Sequence, residues 1–139
     1  MDGATGGRTI GAMNKDFIFR FFDIIDQFKA REFSEMFAEN ATWTFGNNPP
    51  LQGRAAIRSQ AELIFSQLEG IGHHLVGFWT QDTNLILEGR VTYVRKDRAK
   101  IELPFSTVTV FDGHGLIQSY RTYIDPSPLY APNPELPVN

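Results

Sequence analysis

The chain has 139 residues, a net charge of −3 and no cysteine; apolar residues make up 42% and charged residues 21%. That is one domain of ordinary soluble composition, long enough to bury a core, and it excludes disulfides, thiolate metal sites and a cysteine nucleophile. An acidic balance without a basic stripe argues against a nucleic-acid partner, and no apolar run approaches the length of a membrane span. The first thirteen residues, "MDGATGGRTIGAM", are Gly-rich without the apolar stretch of a signal peptide, so the expectation is a loose leader (1–13) on a soluble, cytoplasmic protein.

From Asn14 onward the apolar positions Phe17, Phe21, Ile24, Ile25 and Phe28 recur at helical spacing, with Asn14 as N-cap. A second short helix is read over Glu32–Glu39, ended by Asn40 as a left-handed cap. "ATWTF" (41–45) alternates as a strand, and "GNNPPLQG" (46–53) is turn chemistry. "RAAIRSQAELIFSQL" (54–68) is a third helix with Ile57, Ala61, Ile64 and Leu68 as its apolar stripe. Beyond it the period switches from helical to alternating, predicting strands at 73–80, 84–95, 99–111 and 115–124, joined by "QDTN", "KDR" and "DGHG". The basic stretch "VRKDRAK" (94–100) reads as a solvated hairpin tip and His114 as an exposed turn residue. The Pro spacing of "PSPLYAPNPELPVN" favours an extended tail, with 131–139 outside the domain proper (14–130).

Helices first and an antiparallel meander afterwards predict an α+β domain, one curved sheet wrapped around three helices. On 84–95 one face carries Leu85, Leu87, Val91 and Tyr93 and the other Ile86, Glu88, Arg90, Thr92 and Val94. Both are too apolar for a sheet with one wet side, which predicts a homodimer through the convex face.

Two stretches, "MFAENATWTFGNNPPLQGRAAI" and "VTVFDGHGLIQSYRTYIDPSPL", resemble the helix end, strand, Pro-rich loop and last hairpin of the nuclear-transport-factor-2-like superfamily. Its members include SnoaL-like polyketide cyclases, ketosteroid isomerase and limonene-epoxide hydrolase. The resemblance covers about residues 15–130 and implies a cone-shaped, cystatin-like α+β barrel. It implies that Tyr120, Thr122 and Ile124 face the cavity while Arg121, Tyr123 and Asp125 alternate away, Asp125 serving as a structural cap. The acids of the relatives are absent. The isomerase's tyrosine and two aspartates fall on Phe21, Phe45 and Thr107; the hydrolase's carboxylates fall on Thr92 and Thr122, its arginine on Arg90, and its Tyr and Asn on Trp43 and Phe45. The cyclases' aspartate also falls on Thr122.

The remaining polar equipment points to His74, Arg90 and Tyr120 as the catalytic set. His74, in "GHHLVGF", is similar to the histidine context of scytalone dehydratase, and by the family's register shares a face with Val76 and Phe78; His73 is the alternative if the register is one residue off. Arg90, beside Glu88, would stabilise a developing oxygen charge. Gln60, Thr92, Thr107 and Thr122 would position ligand oxygens, and Phe21, Trp43, Phe45, Phe78 and Ile124 would wall the cavity. No metal-ligand spacing, phosphate loop or nucleophile motif is present, so neither metal nor cofactor is expected. The reading is a cofactor-independent cyclase, isomerase or dehydratase acting on a small, mostly apolar, oxygenated molecule. Its alternatives are a non-catalytic ligand-binding or accessory dimer and, further off, an epoxide or ester hydrolase.

Overall fold

A computed structural model describes residues 14–132; the leader 1–13 and most of the proposed tail lie outside the described residues. Asn14 caps helix α1 (Lys15–Asp26), its side-chain oxygen accepting from Phe17 N at 3.0 Å. This helix buries Phe17, Ile18, Phe21, Phe22 and Ile25; Phe17, Phe21 and Ile25 are positions the apolar spacing predicts, while Ile24 and Phe28 are only partly buried and Phe28 lies beyond the helix end.

Helix α2 (Ala30–Glu35) ends earlier than read, and strand β1 (Phe37–Phe45) begins earlier. Asn40 is therefore a strand residue and caps nothing. The reason is an irregularity: the pairing of β1 with its neighbour shifts register between Phe37 and Thr42, which breaks the period-2 pattern. A two-residue strand β2 (Leu51–Gln52) pairs antiparallel with β1 and is too short to show alternation. Helix α3 (Arg54–Ser66) follows, burying Ile57 and Ala61. Arg54 ties its first turn to β1 by donating from Nε and Nη2 to Phe37 O at 3.0 and 2.7 Å.

Strands β3 (Leu68–Gln81), β4 (Asn84–Arg95), β5 (Lys100–Phe111) and β6 (Ile117–Tyr123) complete a six-stranded sheet of order β2-β1-β6-β5-β4-β3, with β1 parallel to β6 and every other pair antiparallel. β3 starts five residues before the predicted strand, because "LEGIG" offers glycines where alternation would be read. The sheet curves around the three helices without closing, so the cone is open-edged rather than a shut barrel.

The inner face carries Leu85, Leu87, Val91 and Tyr93 of β4, Leu103, Phe105, Thr107 and Thr109 of β5, and Tyr120 and Thr122 of β6, all buried. Phe33 joins helices to sheet, its ring 5.6 Å from Phe21, 5.0 Å from Phe37 and 5.5 Å from Trp43. Such pairs contribute about 0.5–1.5 kcal/mol each beyond their area, a use for several of the chain's twelve phenylalanines. Among the described residues no helix is long and apolar enough to cross a membrane.

Candidate functional site

Between the inner face of the sheet and the C-terminal ends of α1 and α3 lies a cavity of about 550 Å³. Aromatic rings dominate its walls: Phe33, Trp43, Phe45, Phe65 and Phe105, with Tyr93 and Tyr120. The size suits one small organic molecule.

The polar centre of this cavity is His73, on β3. Its Nδ1 lies 2.5 Å from Asp26 Oδ1, and its main-chain N–H donates to Asp26 Oδ2 at 3.1 Å. Asp26 is the last residue of α1, so one carboxylate fastens the helix end to the strand and fixes the ring. The imidazole is stacked on Phe22 (centroids 4.7 Å apart, 16° between planes) and stands edge-on to Phe105 at 5.6 Å. An accepting carboxylate holds a proton on Nδ1; Nε2 has no partner among the described residues, and the ring lines the cavity with its side chain 10% exposed. That is the arrangement of an oriented acid–base group.

The hydroxyls stand on the neighbouring strands. Burial pushes the Tyr93 phenol up to about 12, with nearby Tyr130 adding to the effect. Burial drives Tyr120 higher still, only partly offset by its hydrogen bond with Thr122. Both therefore remain neutral donors through the physiological range. Trp43 Nε1 donates to Thr122 Oγ1 at a long 3.4 Å, giving this wall an indole and a hydroxyl side by side. Behind it, Thr107 faces Thr122 across the β5–β6 register and its buried Oγ1 has no partner among the described residues, a cost of about 1–3 kcal/mol.

The mouth is bounded by Arg95, Lys96 and Asp97 at the β4–β5 connection and by Leu129 and Tyr130 of a 3₁₀ turn (Ser127–Tyr130). This corrects the reading of "VRKDRAK" as a merely solvated tip. Arg95 pairs with Asp97, whose carboxyl that contact holds below its usual range, and bonds the Leu129 and Ala131 carbonyls.

Of the residues expected from sequence, Tyr120, Trp43, Phe45, Thr122 and Ile124 line the cavity. Arg121 and Tyr123 point outward, with Arg121 bonding Ser119 Oγ and Tyr123 Oη, and Asp125 caps the turn by accepting from Ser127 N at 3.1 Å. The parity expected for β6 is the parity found. Phe21 and Thr107 are buried in the core beside the cavity. Gln60 is half-buried on α3 away from the lining, where Gln67 stands instead.

Five further placements require correction. Glu88, Arg90 and Thr92 lie on the outer face, because the large apolar side chains Leu85, Leu87, Val91 and Tyr93 claim the inner one. Arg90 pairs not with Glu88 but with Glu102, 3.3 Å away, both side chains 43% or more exposed. His74 is exposed and outside the cavity. The cause is a bulge in β3: Leu75 pairs with Gly89 and Gly77 with Glu88, so the strand changes face at Val76. His74 and Phe78 therefore cannot share a face, and His73, Leu75 and Phe78 do. Phe78, though on the inner side, lines a second cleft with Lys15, Phe19 and His74.

Sequence reasoning missed Asp26 and Tyr93 as site residues. A signal for Asp26 existed: an anion in the last turn of a helix opposes the macrodipole at a cost of about 0.3–1 kcal/mol, so it calls for a partner from elsewhere. Among the described residues there is no group of three His, Asp or Glu set to hold a metal.

The sequence profile of the SnoaL-like domain matches residues 18–120. A search of curated proteins gives no match. Among solved structures, the chain is similar to a putative SnoaL-like polyketide cyclase from Jannaschia sp. CCS1 (14% identity, TM-score 0.74, 94% of each chain covered). It is also similar to the epoxide hydrolase/cyclase-like enzyme SalBIII of pyran ring formation in salinomycin (17% identity, TM-score 0.71, 81% of this chain and 91% of that one). A third is a Catenulispora acidiphila DSM 44928 protein of ketosteroid isomerase-like fold in complex with trimethylamine (13% identity, TM-score 0.72, 79% and 85% covered). At these identities the likeness is one of fold.

Proposed function

The chain belongs to the SnoaL-like domain family, and on that premise we propose that it is a cofactor-independent acid–base enzyme: a cyclase, isomerase or dehydratase acting on a small, mostly apolar, oxygenated molecule of polyketide or terpenoid type. One observation carries the reading: the His73–Asp26 pair at 2.5 Å, set in an aromatic cavity of about 550 Å³. His73 moves the proton through Nε2, Asp26 holds the ring, the Tyr93 hydroxyl stabilises negative charge on the reacting oxygen, and the Tyr120 hydroxyl anchors the substrate at a second oxygen.

A ligand-binding role without chemistry is the second reading, favoured by Thr122 and Phe45 standing where the resemblance places carboxylates. The two are separated without knowing the natural substrate. Deuterium incorporation next to the carbonyl of small cyclic ketones, followed by NMR in heavy water, reports proton abstraction directly. The enzyme accelerates it, and His73→Gln lowers the acceleration by about 10²-fold or more, with Asp26→Asn between the two. Ketones that bind but exchange at the solvent rate would establish the second reading.

Two copies of the chain pair through the outer face of the sheet in this proposal. Val76, Trp79 and Tyr123 are each more than half exposed there (57%, 55% and 54%), around a row in which Trp79, Ile86 and Val108 are adjacent across strands.

A further inference from the structure

The cavity owes part of its outer wall to a segment that follows the last strand. Leu129 and Tyr130 line the cavity from the turn Ser127–Tyr130. Burial anchors the turn only through Leu129, which is partly buried against the core; Tyr130 is 76% exposed and no residue of the turn is fully buried. Its main-chain bonds are internal: Leu129 N to Pro126 O at 2.9 Å and Ala131 N to Pro128 O at 3.3 Å. Asp125 caps the turn locally by accepting from Ser127 N at 3.1 Å; apart from that cap, among the described residues the hydrogen bonds that join residues 127–132 to the body of the protein come from one side chain. Arg95 donates from Nη1 to Leu129 O at 3.2 Å and to Ala131 O.

That guanidinium is itself held in plane. Its Nε donates to Asp97 Oδ1 at 3.1 Å and its Nη2 to Asp97 Oδ2, a bidentate fork that leaves Nη1 aimed at the turn. With these donors committed, Arg95 is not a cation offered to a ligand, and its neighbour Lys96 is engaged by Glu69 at 3.2 Å. The Arg95 charge, paired with Asp97, builds wall rather than recruits an anion, which favours neutral molecules in the cavity.

We infer that Arg95 is a specificity-setting latch: by holding the turn Ser127–Tyr130 across the mouth, it fixes how long a neutral ligand the cavity admits. The length selection rests on the cavity being a ligand site, as proposed above, whereas the latch itself does not. A segment with so few ties to the core opens at low free energy, and a single side chain that stiffens it sets both the rate of entry and the reach of the site.

The test uses the full chain, Arg95→Met and Arg95→Lys, the second keeping the charge while losing the fork. In the unliganded protein, amide hydrogen exchange across 126–132 rises about tenfold or more in Arg95→Met and less in Arg95→Lys, with the β3–β6 core unchanged. With the neutral fluorophore aminoanthracene, stopped-flow association and dissociation both quicken about tenfold in Arg95→Met. A competing series of methyl ketones of increasing chain length shows a cut-off in the wild type that moves to longer chains in the variant. Unaltered exchange in both variants overturns the latch whatever binds. Faster exchange with an unmoved cut-off overturns the length selection, and a wild type that binds neither probe nor ketone sinks the cavity reading and the length selection together. A melting curve of Arg95→Lys matching the wild type confirms that the fold is intact.

Discussion

Gly89 should tolerate no side chain, and the structure says how costly one would be. A Cβ built there would lie 2.5 Å from His74 O and 2.9 Å from Cε1 and Cζ of Phe105. The first contact is main chain in the adjacent strand, fixed by the sheet, and cannot rotate away. The second is a ring 6% exposed, confined edge-on by His73 at 5.6 Å and by Phe22 at 6.3 Å. Overpacking of this kind costs about 1–3 kcal/mol, and a main-chain clash puts Gly89→Ala at the upper end. The reduced freedom of the unfolded chain returns about 0.4–1 kcal/mol, leaving a net loss of about 2 kcal/mol and a fall in Tm of roughly 8 °C for a domain of this size. Urea and thermal denaturation followed by circular dichroism measure it. Phe105→Leu added to Gly89→Ala relieves the ring contact but not the carbonyl, so the double-mutant cycle shows a favourable coupling of about 1 kcal/mol. A Gly89→Ala protein within about 0.5 kcal/mol of wild type would refute the packing argument, and with it the placement of Phe105 as the support of the His73 ring.

The raised phenol of Tyr93 makes stability depend on alkaline pH. The folded state favours the neutral form, so the contribution is complete below about pH 10 and is lost as pH rises through 12; a shift from 10.0 to about 12 amounts to about 3 kcal/mol. Urea titrations across that window measure the slope, which Tyr93→Phe roughly halves, buried Tyr120 supplying the rest; an unchanged slope in the variant counts against the burial. Arg90→Ala, removing an exposed pair, changes Tm by no more than about 2 °C and leaves proton exchange into ketones intact; a loss of exchange would restore Arg90 to the site. Trp79→Lys places a charge in the outer apolar row and is expected to convert the proposed dimer to monomer in sedimentation velocity, while a wild type that sediments as a monomer removes that face from consideration.

The sequence made the helices and the alternating strands legible because each is a run long enough to show its period. Strand β4 falls where its pattern places it, and β6 has the expected faces, since Tyr120 and Thr122 sit in an uninterrupted alternation. What the pattern cannot carry is a change of phase inside a strand. The bulge at Val76 has no composition of its own, yet it decides which of two adjacent histidines meets the cavity. On β4 the difficulty was different: a motif likeness set Arg90 inward against the plain evidence of Leu85, Leu87, Val91 and Tyr93, four apolar side chains that could only be buried. The long-range pair of Asp26 with His73 joins residues 47 apart in sequence, beyond any local signal except the misplaced anion at the helix end.

The sheet order also ranks the two tyrosines. His73 lies directly across from Val91, so Tyr93, two residues along β4 on the same face, is a diagonal neighbour of the histidine, roughly 7–8 Å away and somewhat less between Cβ atoms. Tyr120 is on β6, three strand spacings from β3, about 14 Å along the sheet before its curvature is counted. The curvature of the sheet shortens that path enough for the charge of Tyr93 to act on Tyr120, yet along the strands Tyr93 is the nearer of the two to His73. The proton-transfer half of the cavity is therefore His73 with Tyr93, and the Tyr120, Thr122 and Trp43 wall holds a distant oxygen. A carboxylate at Thr122 would lie at a position 8% exposed, where an unpaired charge costs several kcal/mol; Asp26, beside a histidine and 25% exposed, carries less of that penalty. Losing the Tyr93 hydroxyl should then lower the rate of the chemical step, about 10²-fold or more in kcat for Tyr93→Phe, as for other oxyanion donors. Losing the Tyr120 hydroxyl should raise KM with kcat nearly kept, because it removes a contact made equally before and during reaction. Steady-state exchange kinetics on one ketone with both variants decide the matter. A large kcat loss in Tyr120→Phe with Tyr93→Phe unaffected would move the chemistry to the opposite wall and away from His73.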